Sequence, residues 1–215
     1  MPHSYKAIIF DCDGVIVDTE TMSNNIYTSM LREQGLDIDK KTLLEQFTGF
    51  TNQETMRNAE RLLGRALPEN FDQEYREQFH QMIMSQLEPI SGVRELLQKI
   101  PTPIAMATNA RRLEMDLKLN KIQLTDTFSV RFCVEDVKHG KPAPDLYLKV
   151  AQALNVAPAD CIVIEDSVTG IKAGYAAGMK VFAYSAEMDQ ATQTAAGATA
   201  CFDSMSDLEI LLGLS

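Results

Sequence analysis

The stretch IIFDCDGVIVDTE (residues 8–20) runs from an apolar segment straight into two carboxylates, Asp11 and Asp13, with Gly14 directly behind them. Two acids at the end of a buried strand repel each other unless a cation offsets their charge. Reactive side chains recur at comparable places. Thr108-Asn109 closes the apolar run TPIAMAT, Lys141 sits in HGKPAPD, and Glu165-Asp166-Ser167 follows CIVI. Together these residue types can transfer a phosphoryl group. A carboxylate can act as a nucleophile and split one hard displacement into two easier ones through an aspartyl-phosphate. Hard oxygen ligands suit Mg2+, which brings an anionic nucleophile toward an anionic phosphate. A hydroxyl, an amide and a lysine satisfy the phosphoryl oxygens as charge develops. A second carboxylate can protonate the leaving oxygen and then deprotonate water. Gly14 allows a sharp turn after the acids that a Cβ would obstruct.

Each group alone has a plainer reading. An Asp pair at a strand end can simply shape a turn. Thr108-Asn109 can cap a helix beginning at Ala110, and Asp166 can cap one over 167–177. Lys141, next to a proline, can be a solvated loop residue. The chemical reading gains its weight from the elements that carry these groups. Short, nearly continuous apolar runs at 5–10, 102–108, 130–134, 161–165 and 180–184 read as strands buried on both faces, the pattern of a parallel sheet. Helical spacing over 92–99, 110–120, 144–154 and 167–177 separates them, and a short strand at 199–202 and a helix at 206–213 close the chain. The alternation predicts an α/β, doubly wound, Rossmann-like parallel sheet. In such sheets ligands bind beyond the carboxyl ends of the strands, where all four segments fall.

One connection breaks the alternation. About ninety residues separate the first two strands, far too many for one crossover. They show helical spacing at 20–35, 40–47, 53–64 and 70–86, with Asp39 as a cap and Pro68 as a break. The expected organisation is an α/β core of residues 1–15 and 88–215 with an all-helical cap, 16–87, inserted after the first strand.

The motif DCDGVIVDTE resembles DxDGxxxD, the first motif of the haloacid dehalogenase-like hydrolases. Thr108 stands where that superfamily places its second-motif Ser or Thr, Lys141 in GKPAPD matches the third motif, and IEDSVTGIKAGYAAGM matches the fourth. The resemblance spans about residues 5–184 and is greatest to the helical-cap branch that holds β-phosphoglucomutase-like enzymes and sugar-phosphate phosphatases. It implies that Asp11 is the nucleophile and that Asp13 is the general acid/base and lends a backbone carbonyl to the metal. Thr108 and Asn109 would bind the transferring phosphoryl group and Lys141 would neutralise it. The implied metal set is Asp11, Asp13, Asp166 and Glu165, the last as a ligand or as a partner behind the ligands. In the cap, FTGFTNQE (47–54) resembles the loop in which related phosphosugar mutases carry an arginine for the substrate's second phosphate, and the matching position here is Asn52. A neutral amide anchors a dianion poorly beside a bidentate guanidinium. Arg57, Arg61 or Arg76 could substitute, and Glu20, Ser23 and Asn24 could meet sugar hydroxyls.

The resemblance thus implies a Mg2+-dependent phosphatase of a small phosphorylated metabolite, a sugar or sugar-acid phosphate. A phosphosugar mutase is the near alternative. A non-catalytic, phospho-accepting signalling domain is the alternative of another class, disfavoured because an acidic pair returns after the lysine and a helical insert intervenes. The chain has 215 residues and a formal charge of −10, with no basic run. That balance disfavours nucleic acid and anionic membranes as partners. No apolar stretch reaches the length of a membrane span and no signal peptide is visible, so a cytoplasmic monomer is expected. Cys12, Cys133, Cys161 and Cys201 lie far apart and are expected as free thiols, mostly buried. His3, His80 and His139 are scattered, which suits surface positions rather than ligation.

Overall fold

A computed structural model of the chain describes residues 5–39, 42–43, 46–47, 52–186 and 188–214, with the side chains of 52 and 53 also outside the description. The chain forms two compact units, Met1–Val17 with Glu88–Ser215, and Asp18–Leu87.

The first unit carries a six-stranded parallel sheet: β1 (Ala7–Phe10), β2 (Ile104–Thr108), β3 (Arg131–Cys133), β4 (Cys161–Glu165), β5 (Lys180–Tyr184) and β6 (Ala200–Phe202), in the order β3-β2-β1-β4-β5-β6. The doubly wound, Rossmann-like reading of the sequence therefore holds. Every residue of β1 and β4 is buried, which is why neither alternates apolar with polar residues. The register pairs Phe10 with Met106 on one side and with Ile164 on the other. On one face Ala7, Ile9 and Val163 pack with Leu146, Tyr147, Val150 and Ile171. On the other Phe10 meets Phe128 edge to face at 5.9 Å.

The helices of this unit, numbered after three in the other, are α4 (Val93–Lys99), α5 (Arg112–Lys121), α6 (Asp145–Leu154), α7 (Val168–Ala176), α8 (Gln190–Ala196) and α9 (Met205–Leu211). The sequence gives no expectation of α8, a short helix capped by Asp189. All six strands begin within two residues of their expected positions. Cys12, Cys133 and Cys161 are buried, Cys201 is partly exposed, and all are free thiols.

The second unit is helical: α1 (Thr19–Glu33), α2 (Asn52–Leu63) and α3 (Phe71–Gln86). Asp18 caps α1 by accepting from the Thr21 N–H at 3.0 Å, and Asp39 accepts from the Thr42 N–H at 2.7 Å, the capping expected of it. The expected helix at 40–47 lies largely outside the described residues. The unit has its own core, in which Ile26, Leu31, Leu67 and Ala59 surround stacked aromatics. The Tyr27 and Tyr75 ring centroids lie 4.2 Å apart, and Phe71 and Phe79 extend the stack. Its first residue is Asp18, two beyond the boundary drawn from sequence. No helix among the described residues is long and apolar enough to cross a membrane.

Candidate active site

β1 lies between β2 and β4, the point where the strand order reverses and the connections diverge. The Asp11 N–H extends the ladder of β1 by donating to the Ile164 carbonyl at 2.9 Å. Asp11 therefore leaves the sheet beside Glu165, the last residue of β4, with Thr108 ending β2 on the other flank.

Lys141 ties these ends together. Its Nζ lies 2.6 Å from Asp11 Oδ1 and 2.6 Å from Glu165 Oε1, and all three residues are buried. The solvated-loop reading of Lys141 is thereby overturned. The Tyr147 hydroxyl, on α6, donates to the same Glu165 oxygen at 2.8 Å, and its ring lies 5.0 Å from the Lys141 ammonium. The other Glu165 oxygen, Oε2, accepts from the N–H groups of Asp166 and Ser167 at 3.0 and 3.1 Å and from the Ser167 hydroxyl at 3.0 Å. Burial pushes the Asp11 carboxyl up to about 7; Lys141 opposes the shift, while Glu165 and Asp13 add to it. Burial would also raise Glu165, but Lys141, Tyr147 and Ser167 outweigh it and hold that carboxyl below its ordinary value.

Asn109 braces the lysine segment. Its Oδ1 accepts from the Lys141 N–H at 2.9 Å and its Nδ2 donates to the Lys141 carbonyl at 3.1 Å. The Thr108 hydroxyl accepts from the Ala110 N–H at 3.0 Å and shapes the turn after β2, but α5 begins only at Arg112, behind Arg111, so the capping role does not hold for Thr108-Asn109. Nor does it hold for Asp166, because Ser167 caps α7 through the Gly170 N–H at 3.1 Å.

Two glycines make room for carboxylates. Gly14 has φ +78°, and a Cβ there would sit 2.0 Å from Asp166 Oδ2. The glycine is thus required by conformation, as the sequence suggests, and also by the acid packed against it. A Cβ on Gly170 would lie 1.7 Å from Glu165 Oε1.

Asp13 meets a second buried lysine. Its Oδ1 is 2.5 Å from Nζ of Lys118, which reaches it from the buried side of α5. Burial alone would lower the Lys118 ammonium's proton affinity, but Asp13 reverses the shift and raises it.

Carboxylate oxygens of Asp11, Glu165 and Asp166 all lie within 4.8 Å of one another, a group that could hold a metal ion. The donors are hard oxygens, and Asp11 is crowded by neighbouring carboxylates, so the set fits a divalent cation such as Mg2+ or Ca2+ better than a soft metal. Glu165 already accepts bonds at both oxygens, which suits a residue that orients the ligands.

The sequence reading missed three contributors. Lys118 falls on the buried stripe of α5 with Met115 and Leu119, and a lysine in an apolar stripe is a signal that could have found it. Tyr147 sits among Leu146, Val150 and Ala151 and carries no signal apart from the core. Gln193, fully buried on α8, donates to the carbonyls of Asp166 and Tyr184 at 3.1 and 2.7 Å. The helical unit holds the remaining candidates. Glu20 is in the first turn of α1. The side chain of Asn52 lies outside the described residues. The Ser23 hydroxyl pairs with that of Tyr75 at 2.8 Å, and Arg61 and Arg76 are engaged by Gln46 and Asp72 within the unit.

Comparison with known proteins places this geometry. Residues 8–184 match the haloacid dehalogenase-like hydrolase family. The 6-phosphogluconate phosphatase of Escherichia coli (strain K12) is 31% identical over 184 residues, 85% of this chain and 83% of that protein. The beta-phosphoglucomutase of Bacillus subtilis (strain 168) is 30% identical over 186 residues, 81% of this chain and 80% of that one. A crystal structure of a HAD family hydrolase from Deinococcus radiodurans R1, with bound phosphate and sodium, superposes with a TM-score of 0.88 at 30% identity, covering 99% of this chain and 98% of the other.

Proposed function

This chain belongs to the haloacid dehalogenase-like hydrolases and is a phosphoric monoester hydrolase, and from that premise we propose a Mg2+-dependent phosphatase of sugar or sugar-acid phosphates that works through an aspartyl-phosphate on Asp11. The observation that carries the reading is the Lys141 ammonium 2.6 Å from Asp11, at a strand end where Glu165 and Asp166 complete a carboxylate cluster. Membership of the family sets aside the signalling domain.

Asp11, Asp166 and the Asp13 carbonyl would hold the metal, with Glu165 orienting them from behind. When bound, Mg2+ supplies the positive charge that lets an anionic carboxylate approach an anionic phosphate. The Asp11 carboxylate attacks phosphorus while the bond to the leaving oxygen breaks and Asp13 gives that oxygen its proton. Thr108 and the backbone N–H of Asn109 meet the phosphoryl oxygens, since the Asn109 side chain is committed to Lys141. Lys141 neutralises the charge that develops there. Asp13 then takes a proton from water, the new oxygen–phosphorus bond forms, and Asp11 is released.

The substrate class is supported by the named activity of the E. coli relative, a phosphatase of 6-phosphogluconate. The mutase stands at nearly equal identity, so similarity does not separate them. The neutral Asn52 at the position where mutases carry an arginine favours hydrolysis. Turnover of p-nitrophenyl phosphate and of a panel of phosphorylated sugars and sugar acids with Mg2+ tests the proposal. Sustained phosphate release, abolished by EDTA and reduced at least about 10⁴-fold in Asp11→Asn, is expected. Isomerisation of a hexose 1-phosphate primed by a bisphosphate, without net phosphate release, would overturn it in favour of the mutase.

A further inference from the structure

We propose that Lys118 is a positioning residue for Asp13: from the buried face of α5 its ammonium holds the carboxylate in the orientation that serves both proton transfers. The inference rests on the reading of Asp13 as general acid and base given above.

Lys118 is 3% exposed, whereas lysine is almost never fully buried without a partner. Taking an ammonium out of water costs several kcal/mol, which only good pairing geometry offsets. The partner here is Asp13, 2.5 Å away and 105 positions distant in the chain. The stability of the helix does not ask for a lysine at this place. It lies between Met115 and Leu119 on the buried side, and a methionine of similar length would fill the same space with no charge to desolvate. What the lysine adds is a direction for Asp13, whose side chain is 30% exposed and so borders both protein and solvent.

The bond suits a group that changes protonation state during turnover. An ionised carboxylate accepts from Lys118 at Oδ1. A protonated carboxylic acid still presents a carbonyl oxygen there while the proton rides on the other oxygen. The contact therefore survives both halves of the reaction. In the first, the proton of Asp13 passes to the leaving oxygen as the phosphorus–oxygen bond breaks and the Asp11–phosphorus bond forms. In the second, water loses a proton to Asp13 as its oxygen bonds to phosphorus and Asp11 departs. Lys118 takes no part in either transfer and fixes only where the carboxyl stands. A misplaced catalytic group loses rate steeply, because reach and alignment decide whether the proton arrives.

The test separates position from fold. An alkyl phosphate needs its leaving oxygen protonated, whereas p-nitrophenolate leaves with little help. The ratio of kcat/KM for the alkyl ester to kcat/KM for p-nitrophenyl phosphate does not depend on how much of a preparation is folded, since active enzyme cancels. Asp13→Asn gives the ratio expected when the acid is lost. Lys118→Met is expected to lower the ratio about 10- to 100-fold, in the same direction as Asp13→Asn and by less. An unchanged ratio in Lys118→Met, with or without a general fall in activity, overturns the proposal and leaves the lysine a purely structural residue. If Asp13→Asn itself leaves the ratio unchanged, the assignment of Asp13 fails and takes the proposal with it, and that failure is located at Asp13 rather than Lys118.

Discussion

The two units of this chain bury different things. Among the described residues, every buried charged side chain (Asp11, Lys118, Lys141, Glu165) belongs to the unit that carries the sheet. Among its described residues the helical unit buries the polar side chains of Thr19 and Thr55 beside apolar and aromatic ones, with Tyr27 and Tyr75 stacked. An apolar core tolerates exchange of similar volumes at modest cost. A buried network does not, because removing one partner leaves another charge without compensation. The sheet-bearing unit thus accepts an internal electrostatic liability, and it does so at the end of the strands where a charged substrate would be met.

The comparison can be broken most directly at Lys141. Lys141→Met leaves Asp11 and Glu165 facing each other in a buried setting, and a loss of roughly 3–5 kcal/mol is expected in urea unfolding, together with loss of turnover. A variant as stable as the wild type would mean that the network is not under electrostatic tension.

A sharper test is Gly170→Ala, because two effects compete in sign. Alanine favours a helix over glycine by at most about 1 kcal/mol, and by less in the first turn, where Gly170 lies. The Cβ would enter the space of the Glu165 carboxylate, which overpacking arguments set at a loss of about 1–3 kcal/mol. Destabilisation is expected, and a rise in melting temperature would show that Glu165 can move aside without penalty.

The helical unit should respond more mildly. Tyr75→Leu removes the stack on Tyr27 and the bond to Ser23 but keeps an apolar side chain, for an expected loss of about 1–2 kcal/mol, read by hydrogen exchange in α1 and α3. A larger loss than in Lys141→Met would reverse the comparison.

The smallest effect is expected at Asp136, on the surface of the sheet-bearing unit. Burial would raise its carboxyl, but the Cys133 N–H at 2.8 Å and the Arg112 guanidinium outweigh it and hold the carboxyl below its ordinary value. A depressed carboxyl contributes stability above its unfolded value and loses it as pH falls through the folded value. The advantage of the wild type over Asp136→Asn should therefore be less than about 1 kcal/mol at neutral pH and vanish in acid, as followed by thermal unfolding across pH. An advantage that persists at low pH would point to packing instead.

Much of this molecule was legible in its sequence because its strands are buried on both faces. AIIF and CIVIE read as continuous apolar runs, and a polar residue directly after such a run, at the carboxyl end of a parallel sheet, has few places to go. Asp11, Thr108, Glu165 and Asp166 could be named for that reason, and Lys141, eight residues past β3, only through its likeness to the family's third motif. Lys118, Tyr147 and Gln193 could not, since each lies within a helix whose local pattern says only that the position is inward. Gln193 was hidden twice, because α8 is short and its alanines and threonines give no clear periodicity. The bonds of the Asn109 side chain to the Lys141 backbone were not legible either, because a partner across 32 positions is not written in a residue's neighbours.

The order of apolar runs, the long helical insertion and the types of residue at strand ends are local properties, and the sequence by itself determined them. Which charges meet was decided only by the tertiary structure. Electrostatic partners are chosen by distance in a medium of low dielectric, and the register of β1 between β2 and β4 sets those distances: it puts Asp11 beside Glu165, lets Lys141 reach both, and leaves Asp13 to a lysine on α5.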